Sequence, residues 1–143
     1  MKKALIKSLL CSLVLLLSSC DLIPIGSFAQ EIDLGYPKTV DFSKDGGEVV
    51  VDGDSFLQAT IVGRRDSEIR ENHGYNEADS TEYDVFDWLR VEFKSPLFNP
   101  NFIHPNELRI TAEPNTTGKS RKLYIHLMRG DTDYQEIKVE QKK

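Results

Sequence analysis

Apolar and polar residues alternate along two segments near the C-terminus, on either side of Arg129-Gly130-Asp131. The apolar positions are Leu123, Ile125, Leu127, Ile137 and Val139. A period of two puts one face of a strand against a core and leaves the other face in water. The pattern therefore predicts an antiparallel hairpin that covers one side of a hydrophobic core.

Shorter alternating segments precede this hairpin. The predicted strands cover residues 32–34, 39–42, 48–51, 57–61, 87–94 and 108–112. Asp45-Gly46-Gly47 predicts a hairpin turn, because glycine readily adopts the positive φ angles of tight turns. No helical spacing of apolar residues follows the N-terminal apolar run. After a cleaved N-terminal signal helix, we therefore predict an all-β domain, an immunoglobulin-like antiparallel β-sandwich of about seven or eight strands.

Two polar stretches interrupt the alternation. The stretch from Arg64 to Asp84 has few apolar residues, and we predict a long functional or disordered connection, or one that includes a short edge strand at residues 80–83. The stretch from Ser95 to Asn106 contains three prolines and is predicted to be a second loop.

The N-terminus has the pattern of a secretory signal. Three lysines accompany an apolar run from Ala4 to Leu17, which is too short to span a bilayer comfortably. Leu17-Ser18-Ser19-Cys20 resembles the lipobox of bacterial lipoproteins. This resemblance implies cleavage before Cys20 and acylation of Cys20, for example with palmitate. The alternative is an ordinary cleaved signal with an incidental cysteine.

These features divide the chain into three parts. Residues 1–19 are the predicted signal peptide, residues 20–31 the lipidated cysteine and tether, and residues 32–143 one β-sandwich domain. Cys11 lies in the signal peptide, so the mature protein is expected to have no disulfide. We expect the protein to lie in the cell envelope at the outer membrane, on either face of that membrane.

Charge limits the classes of partner. The whole chain has 18 Lys+Arg and 23 Asp+Glu; removal of the three signal lysines leaves 15 against 23, a net charge of −8. An acidic protein is poorly suited to nucleic acid or to anionic lipid head groups. A neutral glycan or another envelope protein remains compatible with this charge.

No catalytic or metal-binding pattern is present in the sequence. The three histidines, His73, His104 and His126, lie in separate segments without the spacing of a zinc site. By alternation, His126 is expected on the solvated face of its strand. Each of the pairs Asp52/Asp54 and Asp131/Asp133 supplies too few oxygens for a calcium loop, so both pairs are predicted to lie in turns. We expect no enzyme activity, no metal and no cofactor.

Several short motifs occur in a fixed order. They are Gly46-Gly47, Trp88-Leu89, an Asn-Thr-Thr-Gly turn at Asn115 followed by Arg121, and Val139-x-Gln141. Together they resemble the BACON domain, the Bacteroidetes-associated carbohydrate-binding often N-terminal module, over roughly Ile32 to Gln141. The resemblance implies an immunoglobulin-like sandwich of the kind found in envelope lipoproteins. The long stretch before Trp88 departs from it. We expect Asn115 to support a turn, and Arg121 and Gln141 to hydrogen-bond backbone at the sheet end.

Glycan binding would require exposed aromatic faces beside polar side chains. The candidate ligand-binding rings are Trp88, Tyr83, Phe98 and Phe102, with Tyr75 and Phe86 nearby. The alternatives are that Trp88 fills the core and that Phe98 and Phe102 form a small cluster under their loop. A set of exposed rings would be equally suited to a protein partner.

Two functions are consistent with these patterns. The first is a non-catalytic, lipid-anchored envelope protein whose sandwich is a structural or partner-binding module. The second is carbohydrate binding through exposed loop aromatics. In both, the protein would contact the membrane through the lipid on Cys20 and would not bind nucleic acid.

Overall fold

The computed structural model describes residues 29–64, 67–69, 73–96, 101 and 103–143, which form two β-sheets packed face to face. The strands are β1 Gln30–Glu31, β2 Thr39–Phe42, β3 Gly47–Asp52, β4 Gln58–Arg64, β5 Ser67–Ile69, β6 His73–Asn76, β7 Thr81–Phe86, β8 Leu89–Lys94, β9 Glu107–Ala112, β10 Arg121–Met128 and β11 Asp133–Gln141. Within these ranges there is no helix. The predicted all-β sandwich is confirmed, with eleven strands instead of about seven or eight.

The first sheet has the order β1-β11-β10-β4-β5, with β2 also paired to β11. The second sheet has the order β3-β9-β8-β7-β6. All neighbouring strands are antiparallel except β1 and β2, which both run parallel to β11. Because β10 occupies one side of β11, β1 and β2 lie one after the other along its other side.

The predicted C-terminal hairpin is confirmed as β10 and β11. Leu123 pairs with Val139 and Ile125 with Ile137, and all four side chains are buried. The same alternation holds in β8 and β9, whose inward residues complete the opposite side of the core. Phe56 lies in the connection between β3 and β4. Its buried ring packs against Phe93 of β8, with the two ring centroids 5.4 Å apart.

The Asp45-Gly46-Gly47 turn does not form the predicted hairpin. Gly46 and Gly47 do have positive φ angles of 73° and 130°. However, the turn links β2 in the first sheet to β3 in the second, so the strands on either side do not pair. A Cβ atom on Gly46 would overlap the carbonyl oxygen of Ala112, and glycine thus permits the chain to pass close to the end of β9. Turn chemistry determines the local backbone path, but not the strand with which each arm pairs.

The polar stretch from Arg64 to Asp84 is not one long connection. It contains the end of β4, all of β5 and β6, and most of β7. Strands β5 and β6 are the last strands of their sheets, and the four residues of β6 are exposed or only partly buried. Strand β7 includes the anticipated short strand, but it lies between β6 and β8 and not at an edge.

The domain also begins differently from the prediction. Gln30 and Glu31, assigned to the tether, pair with β11, whereas residues 32–34 belong to no strand. A buried glutamine holds this segment in place: Gln135 Oε1 accepts hydrogen bonds from the N–H groups of Leu34 (2.7 Å) and Tyr36 (3.4 Å). Gln135 Nε2 donates to the Tyr36 carbonyl at 2.8 Å. One side chain therefore replaces the pairing that a strand would have provided.

We predict that Gln135→Ala lowers the free energy of unfolding by about 2–4 kcal/mol, because it leaves several buried backbone groups without partners. Urea denaturation followed by the fluorescence of Trp88 measures the effect. The control is Gln58→Ala on exposed β4 surface, which should change stability by no more than about 0.5 kcal/mol. Equal stability of the two variants would contradict this role of Gln135.

Candidate functional site

Trp88 is not available as a binding platform. Its side chain is 3% exposed and belongs to the hydrophobic core. The guanidinium of Arg121 lies over the indole, 4.7 Å from the ring centroid. Trp88 lies in the two-residue turn between β7 and β8, after Asp87 with a φ angle of 54°, so it does not continue the outward row of β8. The core alternative for Trp88 is correct, and its assignment as an exposed ligand-binding ring is wrong.

The ends of several strands are held together by the motif residues Arg121, Gln141 and Asn115. Arg121 Nε donates to Gln141 Oε1 at 2.8 Å, and Arg121 Nη2 donates to the Glu113 carbonyl at 3.1 Å. Gln141 Nε2 donates to the carbonyls of Ser43 (3.1 Å) and Glu113 (2.9 Å). Asn115 donates to carbonyls of its own turn and of the C-terminal end. The predicted structural roles of Asn115, Arg121 and Gln141 are confirmed.

The remaining aromatic candidates fall into three groups. Phe98 and Phe102 lie outside the described residues. Phe86 is partly buried and packs against the core. Tyr75 and Tyr83 border a cleft on the solvent face of the second sheet.

This cleft, here named the outer-face cleft, has a volume of about 720 Å³. Its floor consists of outward residues of β7, β8 and β9, and one wall is the segment Ile103–Asn106. The strand register aligns Tyr83 with Glu92 and Glu92 with Arg109 across the floor. The alternation of β8 explains this arrangement, because the strand directs its apolar residues inward and its charged residues outward.

Three ion pairs lie in and beside the cleft. Arg90 Nη2 lies 2.6 Å from Glu92 Oε1, and Lys94 Nζ lies 3.4 Å from Asp79 Oδ2. Arg109 Nη1 contacts Glu48 Oε1 at 2.8 Å. Such exposed pairs add little stability. They place charges of both signs side by side on the floor of the cleft.

The charge of Asp79 is maintained by its neighbours. A side-chain hydrogen bond with Thr81 lowers the pKa of Asp79, and Lys94 lowers it further. A lowered carboxyl pKa means that folding favours the ionised form, so the contribution of this group is present at neutral pH and is lost only in acid. The ion pair with Lys94 therefore persists to lower pH than an ordinary aspartate would allow.

The Tyr83 ring contacts residues of both neighbouring strands, β6 and β8. The Arg90 guanidinium lies over its ring, 4.2 Å from the centroid. Gly74, opposite Tyr83 on β6, leaves room for the hydroxyl end of the ring, and a Cβ atom at residue 74 would overlap that end. Arg90 and Gly74 were missed in the sequence, since nothing local to either residue indicates the ring beside it. Only the cross-strand register brings the three residues together.

His126 lies on β10, opposite Glu136 of β11. His126 is half-buried, with Nε2 3.1 Å from Glu136 Oε2 and its ring 4.7 Å from that of Tyr134. His126 does lie on the outward face of β10, as expected from the alternation, but it is only partly exposed because β11 brings Glu136 and Tyr134 to the same face. In the part of the chain that the structure describes, no three His, Cys, Asp or Glu residues are grouped to hold a metal ion. Across those same ranges, no helix is long and apolar enough to cross a membrane.

Comparisons with known proteins identify no family. No protein-family model matches the chain, and no curated protein does. Among solved structures, the chain is similar to a GH5 xyloglucanase of Bacteroides ovatus in complex with a XXXG heptasaccharide, with 16% identity and a TM-score of 0.44. The match covers 77% of this chain and 19% of that chain, so this chain corresponds to about a fifth of the enzyme. Similarity at this level does not identify a shared function.

We predict that Gly74→Ala destabilises the protein by about 1–3 kcal/mol through overpacking against Tyr83. In a Tyr83→Ala background, Gly74→Ala should lower the free energy of unfolding by clearly less, because the overlapping ring is absent. Urea denaturation of the four proteins of this cycle gives the coupling energy.

The control for this cycle is Gly130→Ala, since an added Cβ at residue 130 meets nothing within 4 Å. It should be close to neutral in both backgrounds. An equal cost of Gly74→Ala with and without the Tyr83 ring would show that the ring does not occupy this space.

Proposed function

We propose that this protein is a non-catalytic, lipid-anchored protein of the bacterial cell envelope, whose BACON-like β-sandwich binds a partner protein through the outer-face cleft. The main support is the cleft itself, a volume of about 720 Å³ on the outer face of the second sheet, with the ion pairs Arg90–Glu92 and Lys94–Asp79 in its lining. Positioned charges of both signs are suited to recognition of a protein surface. The lipobox-like sequence ending at Cys20 supports the anchor.

The aromatic side chains favour a protein partner over a glycan. Trp88 is buried, and Arg90 covers one face of Tyr83. A sugar ring stacks on an open aromatic face, whereas Trp88 is buried and Arg90 already occupies one of the two faces of Tyr83. Charged floor residues such as Glu92 and Arg109 remain accessible for hydrogen bonds and ion pairs.

The cleft lies near the end of the sandwich where the chain enters. The Phe56 N–H donates to the Pro105 carbonyl, and the Leu57 N–H donates to the Met128 carbonyl. Met128 pairs with Tyr134, which also pairs with β1. These contacts link Pro105 in the cleft wall to strand β1. Cys20 precedes β1 by ten residues, a reach of at most about 35 Å. A lipid on Cys20 would thus keep the cleft close to the membrane, at the outer membrane in this proposal.

Photo-crosslinking in intact cells tests the partner-binding role. A photoreactive phenylalanine replaces Asn106, an exposed residue of the cleft wall, in the full-length protein. We expect a discrete adduct with one envelope protein. The matched control places the same group at exposed Lys122 on β10, in the opposite sheet, where no such adduct should form. Absence of an adduct at position 106, or the same adducts at both positions, would contradict binding at the cleft.

The proposed anchor gives a separate prediction. Cys20→Ser should abolish incorporation of labelled palmitate and shift the protein from the membrane fraction to the soluble fraction. Cys11→Ser is the matched control, because Cys11 lies within the proposed signal and should leave labelling unchanged. Labelling that survives in Cys20→Ser would exclude lipidation at this residue.

Glycan binding is the second candidate function. It is favoured by the proximity of Tyr75 and Tyr83 to the polar side chains of Asn76, Glu92 and Asn106 in the same cleft. A glycan array probed with the full-length protein in detergent tests this candidate. Tyr83→Ala should then abolish binding, whereas Tyr134→Ala, on the other sheet, should retain it. A negative array from a folded protein would exclude this function.

A further inference from the structure

A second cleft lies at the β6 side of the sandwich, between the rim of the first sheet and the edge of the second. This edge cleft has a volume of about 500 Å³. Its walls are largely apolar and include Leu57, Tyr75 and Pro96, with Leu57 37% exposed. Its polar groups include His73 and Glu82. Apart from Tyr75, which borders both clefts, none of these residues lines the outer-face cleft.

Two buried carboxylates lie beside His73. Glu82 is 8% exposed and Asp84 is fully buried. His73 Nε2 lies 3.7 Å from Glu82 Oε2, and His73 Nδ1 lies 3.9 Å from Asp84 Oδ1. Both distances are too long for hydrogen bonds. The imidazole therefore stands between the two acids without making a close contact with either.

Glu82 has a hydrogen-bond partner, whereas one oxygen of Asp84 lacks one among the described residues. Glu82 accepts a short hydrogen bond from the Ser95 hydroxyl. Asp84 Oδ2 accepts from the Ile61 N–H at 2.7 Å, a bond that crosses from the second sheet to the first. Asp84 Oδ1, the oxygen on the side of His73, has no hydrogen-bond partner within the part of the chain that the structure describes. Among the described residues, no lysine or arginine forms an ion pair with either carboxylate.

A cationic ligand would stabilise this arrangement, because the nearest described base, His73, is charged only when protonated. Burial of a carboxylate is costly unless the group is paired and its oxygens are hydrogen-bonded, and an unsatisfied buried acceptor in a folded protein calls for an explanation. A cleft that bound only apolar groups would gain nothing from two buried carboxylates beside it. A cationic donor at the mouth of the cleft, held against Glu82, would compensate both charges.

We propose that the edge cleft binds a lysine or arginine side chain of a partner polypeptide. The ammonium or guanidinium group pairs with Glu82, which lines the cleft, while Asp84 supplies a second negative charge from behind His73. Leu57 and Pro96 contact the methylene stem, which such side chains commonly bury against apolar surface. This site is independent of the partner proposed for the outer-face cleft.

Two observations favour a polypeptide over a free amine. Strand β6 is the last strand of the second sheet, and its His73, Gly74 and Tyr75 line the cleft. A segment that runs alongside an edge strand can direct alternate side chains into an adjacent pocket. The acidic balance of the chain, 23 Asp+Glu against 18 Lys+Arg, also attracts a basic segment.

NMR titration of the full-length protein in non-ionic detergent micelles tests the site. The probes are capped five-residue alanine peptides with a central lysine, a central arginine or a central N-acetyllysine. We expect saturable shifts of the Gly74 and Tyr75 amide signals with the lysine or the arginine peptide and none with the acetylated peptide. Glu82→Gln should weaken binding by at least about tenfold, because it removes the charge and keeps the shape. Asp84→Asn should weaken binding as well.

The control is Glu140→Gln, on β11 in the opposite sheet and outside both clefts, which should leave peptide affinity unchanged. Because substitution of a buried acid can impair folding, a second variant changes only exposed surface. Leu57→Lys places a competing ammonium at the mouth and should abolish the shifts in a protein with an otherwise unchanged spectrum.

Three results would overturn the assignment. The first is no response to either basic peptide. The second is equal binding of the acetylated peptide, which would indicate an apolar site. The third is saturation of the same signals by Ca²⁺ or Zn²⁺ alone with no response to the peptides, which would indicate a metal site.

Discussion

One buried row of side chains on β11 joins most of the molecule. Ile137 and Val139 pack in the centre of the core, and Gln135 and Gln141 lie at the two ends of the row. The glutamines use side-chain amides to satisfy backbone groups that lie outside regular pairing, in the segment before β2 and in the turns at the far end. Because β11 also pairs with β1, β2 and β10, its position determines the arrangement of the whole first sheet.

The same alternation that buries one side of each sheet creates the outer-face cleft on the other. In β8 the inward side chains reach the core, and the outward Arg90 and Glu92 form part of the floor. The ion pairs add little free energy because water competes for them. They place charges of both signs side by side, and the Arg90 guanidinium lies over the Tyr83 ring. A mixed-charge surface of this kind is compatible with the proposed protein partner.

Strand β7 departs from the binary pattern of the other central strands. Its inward positions include Glu82 and Asp84, where the neighbouring strand β8 has Val91 and Phe93. Inward carboxylates reduce stability unless they are compensated, and sequences usually retain such conflicts where function requires them. The location of these acids beside the apolar walls of the edge cleft gives the conflict a physical reason, namely recognition of a basic side chain.

Period-two alternation was sufficient to predict the all-β fold, the β10–β11 hairpin and the inward row of β8, because it depends only on the nearest residues along a strand. The roles of Asn115, Arg121 and Gln141 were also apparent from the sequence. Other features required the tertiary structure: the assignment of β2 and β3 to different sheets, the strands between residues 64 and 84, the burial of Trp88 and the ring position of Tyr83. These depend on which distant segments pair, and the free energy of that choice comes from the packing of the whole core and not from any single segment.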